Sequence, residues 1–217
     1  MKTVPFTKSY GGATVLTMPS VELAPGTVTA VIGANGSGKS TLAKVLAGLE
    51  PADKKTRAEL DARVGYLPQK SFAFRMSLQR NIALNGADEE RMARITQALG
   101  LSALAKRSAK RLSGGETAKM ALARLLMADY DVLILDEPTA AMDMESTLAA
   151  EQLITGACAE TGCAVLLITH SLAQAERTAG RLLFLHRGRL IEQGDTKTVL
   201  TVPKEPETKV FLDFYGA

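Results

Sequence analysis

The octapeptide Gly33-Ala34-Asn35-Gly36-Ser37-Gly38-Lys39-Ser40 fits the pattern G-x-x-x-x-G-K-[ST] and stands between an apolar run, Val28 to Ile32, and a helix-prone segment, Thr41 to Leu49. Glycines at this spacing let successive backbone N–H groups turn inward on one anion, while the following helix aims its positive dipole end at the same point. Lys39 supplies a point charge for β- and γ-phosphates, and the Ser40 hydroxyl suits Mg²⁺, which takes a few oxygen ligands beside the phosphates. A chance glycine-rich turn would not also carry a strand before it and a helix after it. The stretch therefore predicts a nucleoside triphosphate site built from Gly33, Asn35, Gly36, Ser37, Gly38, Lys39, Ser40 and Thr41, on an α/β scaffold.

With 217 residues, 46% of them hydrophobic, the chain suits one domain with a real core. The net charge of +3 is spread out, so no direct nucleic-acid binding is expected. The basic cluster Lys106, Arg107, Lys110 and Arg111 reads as a solvated face. Cys158 and Cys163 lie among apolar neighbours without C-x-x-C spacing and read as reduced, structural thiols of a cytoplasmic chain. No apolar run approaches the ~18 residues of a membrane span, and Met1 to Pro5 lacks the apolar segment of a signal peptide. Any membrane role must run through a partner.

Along the chain, the first 27 residues read as strands, interrupted at Tyr10-Gly11-Gly12 and closed by the turn Ala24-Pro25-Gly26-Thr27. The charged piece Pro51 to Arg63 leaves little room for a sheet extension, and Val64 to Leu67 is a strand ending at Pro68-Gln69. Asp88 to Leu99 is a capped amphipathic helix, with Met92, Ile95 and Leu99 on one face. A second helix follows Gly115, where Ala118, Ala121, Leu122, Leu125 and Leu126 recur at helical spacing. Val132 to Leu135 and Ala164 to Ile168 are uninterrupted apolar runs, as strands covered on both faces require. Each has a helix-prone partner, Met144 to Glu160 and Leu172 to Thr178. Leu182 to Leu185 and Leu190-Ile191 read as late strands, and Lys209 to Tyr215 as a short helix. Strands alternating with helices argue an α/β core, and the helical stretch between Gln69 and Asp129 a separate lobe.

The run Val132 to Leu135 delivers two acids, Asp136 and Glu137, at the carboxyl end of a strand, the edge where ligands of open α/β sheets sit. Asp136 can hold Mg²⁺, and Glu137 is placed to polarise a water for attack on the γ-phosphate. At Leu112-Ser113-Gly114-Gly115-Glu116 a second anion-binding helix start appears, yet no phosphate loop is left in the chain for it to serve.

With that pentapeptide ahead of the Asp136-Glu137 strand, the chain resembles the ATP-binding cassette family, specifically the nucleotide-binding subunit of a transporter. The resemblance implies a RecA-like P-loop NTPase core with a mostly parallel sheet, a small antiparallel β subdomain and an inserted helical lobe. Residues 1–69 and 129–217 would form the core and residues 70–128 the lobe. It also implies that Ser113, Gly114 and Gly115 close over ATP·Mg²⁺ held by a second copy, and that Tyr10 stacks on adenine, although a structural strand tyrosine is the alternative. Gln69 would touch Mg²⁺ and the attacking water, making Ser40, Gln69 and Asp136 the metal ligands. Asp143, in Ala140-Ala141-Met142-Asp143, would lie in the loop crossing the dimer interface. His170 would contact the γ-phosphate, joining Lys39, Gln69 and Glu137 as catalytic groups.

Departures from the family pattern are Ala34, Lys119, Met142, Ser171 and the compressed segment Pro51 to Arg63; none removes a catalytic group. The implied activity is ATP hydrolysis that powers solute transport from the cytoplasmic face, through transmembrane permease subunits and with an extracellular substrate-binding protein. Alternatives are an exporter motor or a soluble cassette ATPase acting on a macromolecule. Gln69 to Met76 carries Phe72, Phe74 and Met76 in a chain with few aromatics, which suggests one wall of a groove for a membrane-subunit helix. Burial of all three inside the helical lobe is the alternative.

Overall fold

The computed structural model describes residues 1–56, 58 and 60–216. Two antiparallel strands open the chain, β1 (Phe6–Tyr10) and β2 (Ala13–Met18). The interruption expected at Tyr10-Gly11-Gly12 is their hairpin turn: Gly11 and Gly12 hold φ of 57° and 84°, the left-handed pair that matches the twist of the flanking strands. Strand β3 (Val28–Ile32) leads into helix α1 (Lys39–Leu46), which starts two residues earlier than the sequence suggests and ends before Gly48. Between residues 49 and 63 only a 3₁₀ turn at Asp53–Lys55 is formed among the described residues; Arg57 and Glu59 lie outside them.

Strand β4 (Val64–Leu67) is followed by helices α2 (Leu78–Ile82), α3 (Glu89–Ala98) and α4 (Gly114–Leu125). Then come β5 (Val132–Asp136), α5 (Met144–Thr161), β6 (Ala164–Ile168), α6 (Leu172–Thr178), β7 (Arg181–His186) and β8 (Arg189–Asp195). The chain closes with α7 (Thr196–Thr201) and α8 (Pro206–Tyr215). Helix α8 starts three residues earlier than expected, because a proline at the first helical position is already set for helix and gives up no bonded N–H.

All eight strands form one sheet in the order β1-β2-β8-β7-β3-β6-β5-β4. The pairs β4/β5, β5/β6, β6/β3 and β3/β7 are parallel, and β7/β8 is antiparallel. The antiparallel strands β1 and β2 make one edge, joined in parallel to β8 at Thr17 and Arg189.

Every residue of β3, β5 and β6 is buried, and their alternation splits the core in two. Leu133, Leu135, Val165 and Leu167 face a cluster shared with α2, α3, α4 and α5. Val132, Ile134, Leu166 and Ile168 face one shared with β2 and α1. Truncating a side chain in either layer, Ile134→Ala for instance, removes about 2–5 kcal/mol. Cys158 and Cys163 are buried free thiols; Cys158 Sγ donates to the Cys163 carbonyl at 3.1 Å across the end of α5.

Candidate active site

Strand β3 ends at Ile32, and the chain turns through three glycines of positive φ: Gly33 at 150°, Gly36 at 78° and Gly38 at 100°. A Cβ on Gly33 would lie 2.2 Å from the Leu185 carbonyl oxygen, so the loop's first turn admits no side chain. A Cβ on Gly38 would meet Leu16 Cδ1 at 2.9 Å, whereas Gly36 faces open space. Lys39 is 6% exposed and its Nζ donates to the carbonyls of Gly33 at 2.7 Å and Ala34 at 3.0 Å. Burial lowers its pKa, and the charges of Glu137 and Asp136 oppose that shift. The β7–β8 turn supports the loop from behind, with the Gly188 N–H donating to the Ser37 carbonyl at 3.1 Å.

Strand β5 delivers Asp136, 2% exposed, with Oδ1 buried and without a hydrogen-bond partner among the described residues. Burial raises its pKa and a hydrogen bond from Ser40 opposes this. A buried carboxylate with an orphaned oxygen, next to a hydroxyl, is an oxygen donor set that fits a hard divalent cation. Burial also pushes the nearby Tyr66 phenol up to about 12, with the charge of Asp136 as a second cause.

Glu137 holds a left-handed φ of 52°, fixed by its N–H donating to the Ile168 carbonyl at 3.0 Å. Gln69 Nε2 donates to Glu137 Oε2 at 2.9 Å, and His170 Nε2 pairs with Glu137 Oε1. A cleft of about 290 Å³ is lined by residues Asn35 to Thr41, Gln69, Glu137 and His170, together with Val15. Val15 is an ordinary strand valine, and no sequence signal marks it. A larger concavity of about 490 Å³, between α3 and α5, carries none of these groups, so size alone does not locate the site.

Tyr10, Ser113, Gly114, Gly115 and Asp143 do not line the cleft. Tyr10 donates its hydroxyl to Glu50 and carries Lys8 Nζ 4.9 Å from its ring centre; that bond to Glu50 raises its pKa. Ser113 caps α4 in a reciprocal box: its Oγ accepts from Glu116 N–H at 3.1 Å, and its own N–H donates to Glu116 Oε2 at 2.7 Å. Asp143 caps α5 through Ser146 N–H at 2.8 Å. These two caps are neighbours, since a Cβ on Gly115 would sit 2.7 Å from the Ala141 carbonyl oxygen.

A glycine cradle and buried lysine on a parallel sheet, facing a strand-end pair of acids with a glutamine and a histidine on the second acid, define a P-loop nucleoside triphosphatase. Residues 16–140 match the family model of the ABC transporter. The tungstate uptake ATP-binding protein TupC of Peptoclostridium acidaminophilum is 34% identical over 200 residues, covering 85% of this chain and 94% of the relative. The glutamate/aspartate import ATP-binding protein GltL of Escherichia coli K12 is 33% identical, covering 94% and 95%. The zinc import ATP-binding protein ZnuC of Chelativorans sp. is 36% identical, covering 88% and 67%. Among solved structures, an ATP-binding subunit of an ABC transporter superposes with TM-score 0.83 over 98% of both chains at 23% identity. The chain belongs to the ABC transporter family as an ATP-binding subunit, an ATPase coupled to transport.

Proposed function

We propose that two copies of the chain sandwich two molecules of ATP and use their hydrolysis to drive solute import through separate permease subunits. The observation that carries the sandwich is the placement of Ser113, Gly114 and Gly115. Ser113 and Gly114 stand exposed at the start of a 12-residue helix, outside the cleft of their own chain. Amide groups at such a helix start favour an anion, and a second copy's phosphates supply one. An isologous pair then gives two equivalent composite sites. Residues 1–69 and 129–217 act as the nucleotide-binding core and residues 70–128 as the lobe that presents this helix.

In the composite site, Lys39 exchanges the carbonyls of Gly33 and Ala34 for β- and γ-phosphate oxygens. Gln69 Nε2 orients the Glu137 carboxylate, which takes a proton from the attacking water as its oxygen bonds to the γ-phosphorus and the bond to the ADP oxygen breaks. His170, against Glu137 Oε1, contributes a hydrogen bond to the γ-phosphate. Ser40, Asp136 and Gln69 would hold Mg²⁺, which would supply positive charge to offset that of the phosphates. Tyr10 supplies an aromatic face for adenine, and Asp143 lies on the face between copies.

Import is supported by the relatives, whose names cover tungstate, zinc and glutamate/aspartate uptake on similar cassettes. Such different cargoes on similar cassettes support a division in which cargo choice belongs to the membrane subunits and an extracellular binding protein. No described helix is long and apolar enough to cross a membrane. The import relatives support docking of the chain on the cytoplasmic face of its permease.

Mixing two inactive variants tests the sandwich. A Lys39→Ala copy paired with a Ser113→Arg copy keeps one intact composite site, so ATP hydrolysis should appear only on mixing. A mixture as inactive as either variant alone overturns the exchange of Ser113 between copies.

A further inference from the structure

Beside the nucleotide cleft lies a second one of about 300 Å³, whose walls include Glu137, Thr139, Thr147, His170, Ser171 and Gln174. Gln174, on α6, is 2% exposed, and its single amide nitrogen donates to Thr139 Oγ1 at 3.0 Å and Glu151 Oε1 at 3.1 Å. Glu151, on α5, is 5% exposed and is forked by Arg177, with Nε to Oε2 at 2.9 Å and Nη2 to Oε1 at 2.7 Å. A carboxylate this buried holds its charge only when paired and hydrogen-bonded, and both conditions are met here. The pair is therefore a fixed anchor for the Gln174 amide.

Thr139 lies two residues beyond Glu137, and Gln174 four beyond His170. The backbone between His170 and Gln174 is itself fixed: Gln174 N–H donates to Ser171 Oγ at 3.1 Å and Ser171 N–H to Thr169 Oγ1 at 3.0 Å. Strand pairing between β5 and β6 ends at Asp136 and Ile168, where the Glu137 N–H still donates to the Ile168 carbonyl, and His170 meets the Glu137 carboxylate directly. Past that point the Gln174–Thr139 bond closes a ring around the connections that carry Glu137 and His170.

We propose that Gln174, anchored by the Glu151–Arg177 pair, is a positioning residue for ATP hydrolysis: it sets the spacing between Glu137 and His170. This rests on reading those two residues as the reacting pair. Gln174→Glu keeps the shape but sets a carboxylate against the Glu151 carboxylate, so the link to α5 is broken even though the Thr139 hydroxyl can turn to donate to the new side chain. A misplacement of about 1 Å in a reacting group costs on the order of 100-fold in rate. Gln174→Glu should thus lower kcat for ATP by about 10- to 100-fold while KM, set at the phosphate loop, stays within about twofold.

Thr139→Val, which buries no new charge, should lower kcat in the same direction with KM unchanged, and it decides the matter if Gln174→Glu does not fold. Unchanged kcat in a folded Gln174→Glu or in Thr139→Val overturns the proposal. So does a KM that rises in step with the loss of kcat. Glu137→Gln is the control: wild-type turnover there overturns the reacting-pair reading itself, whereas an inactive Glu137→Gln beside a normal Gln174→Glu removes only the positioning role.

Discussion

Glu137 occupies a backbone conformation that glycine would adopt freely, and holding a non-glycine residue there costs about 1–3 kcal/mol. The geometry persists because its N–H is bonded to Ile168 and its carboxylate is held by Gln69 and His170. Glu137→Gln preserves shape and backbone but cannot accept the proton. Turnover should fall by roughly 10²–10⁴-fold, the usual worth of a general base, while ATP affinity is kept. Phosphate release gives the first quantity and nucleotide titration the second; with hydrolysis blocked, light scattering should show an ATP·Mg²⁺-dependent dimer. A monomer with normal turnover contradicts both roles. The phosphate loop and the strand-end acids were legible because each demand falls on a residue type at a fixed place: glycines where φ is positive, a lysine and a serine at the helix start, acids at a strand end; Gln69 and His170 were marked only by the family resemblance, and Val15 by nothing. The strained φ of Glu137 and the strap at Gln174 left no sequence mark. Both arise from contacts between segments 30 or more residues apart, such as Gln174 with Thr139.

Strands β3, β5 and β6 could be read directly, since burial on both faces forces an unbroken apolar run. Helices α2 and α7 could not be read, because five and six residues are too few to display a 3.6-residue period. Their caps hold them: Ser77 accepts from Arg80 N–H, and Asp195 from Thr198 N–H at 2.9 Å. Caps also contribute to the acid response of the fold, beside Glu50, Asp53 and Glu192, whose carboxyl groups are likewise held below the usual range. Asp143, Asp195 and Glu116 all have pKa values below the usual carboxylate range, in each case chiefly because the carboxylate accepts a backbone N–H. The folded state therefore keeps these groups ionised where the unfolded chain protonates them. Their contribution is complete above the ordinary carboxylate pKa of about 4 and is lost as pH falls toward the lowered folded values. The melting temperature should accordingly drop below about pH 4. Asp143→Asn keeps an acceptor for Ser146 N–H but does not titrate, so its decline should be shallower. An identical slope for variant and wild type assigns the acid sensitivity to other groups.

At the scale of the whole molecule, the sheet carries the phosphate loop and the acids, and the segment after β4 connects them to the helices α2 to α4. Gln69 reaches Glu137 at the start of that segment, and a few residues later Phe72 and Phe74 stand 53% and 44% exposed, with Met76 half-buried. The two rings meet edge to face at 5.3 Å. Arg124, on α4, lies under both, 4.9 Å and 5.4 Å from their centres, and donates to the Phe72 carbonyl at 3.2 Å. Buried Asn81 Oδ1 accepts from Phe74 N–H at 2.8 Å. The loop is thus held from inside by polar groups while its aromatic faces point outward, which favours the docking groove over burial of all three side chains in the lobe. A permease helix seated there would be linked through Gln69 to the Glu137 carboxylate, a short route between transport and hydrolysis. Replacing Phe72 and Phe74 together by serine removes apolar surface that faces solvent in the free chain, so the melting temperature should hardly move and the isolated chain should still hydrolyse ATP. Co-purification with the membrane subunits and transport should both be lost. A core role predicts instead a loss of several kcal/mol in stability from the paired substitution, so a large fall in melting temperature together with lost ATPase activity counts against the groove.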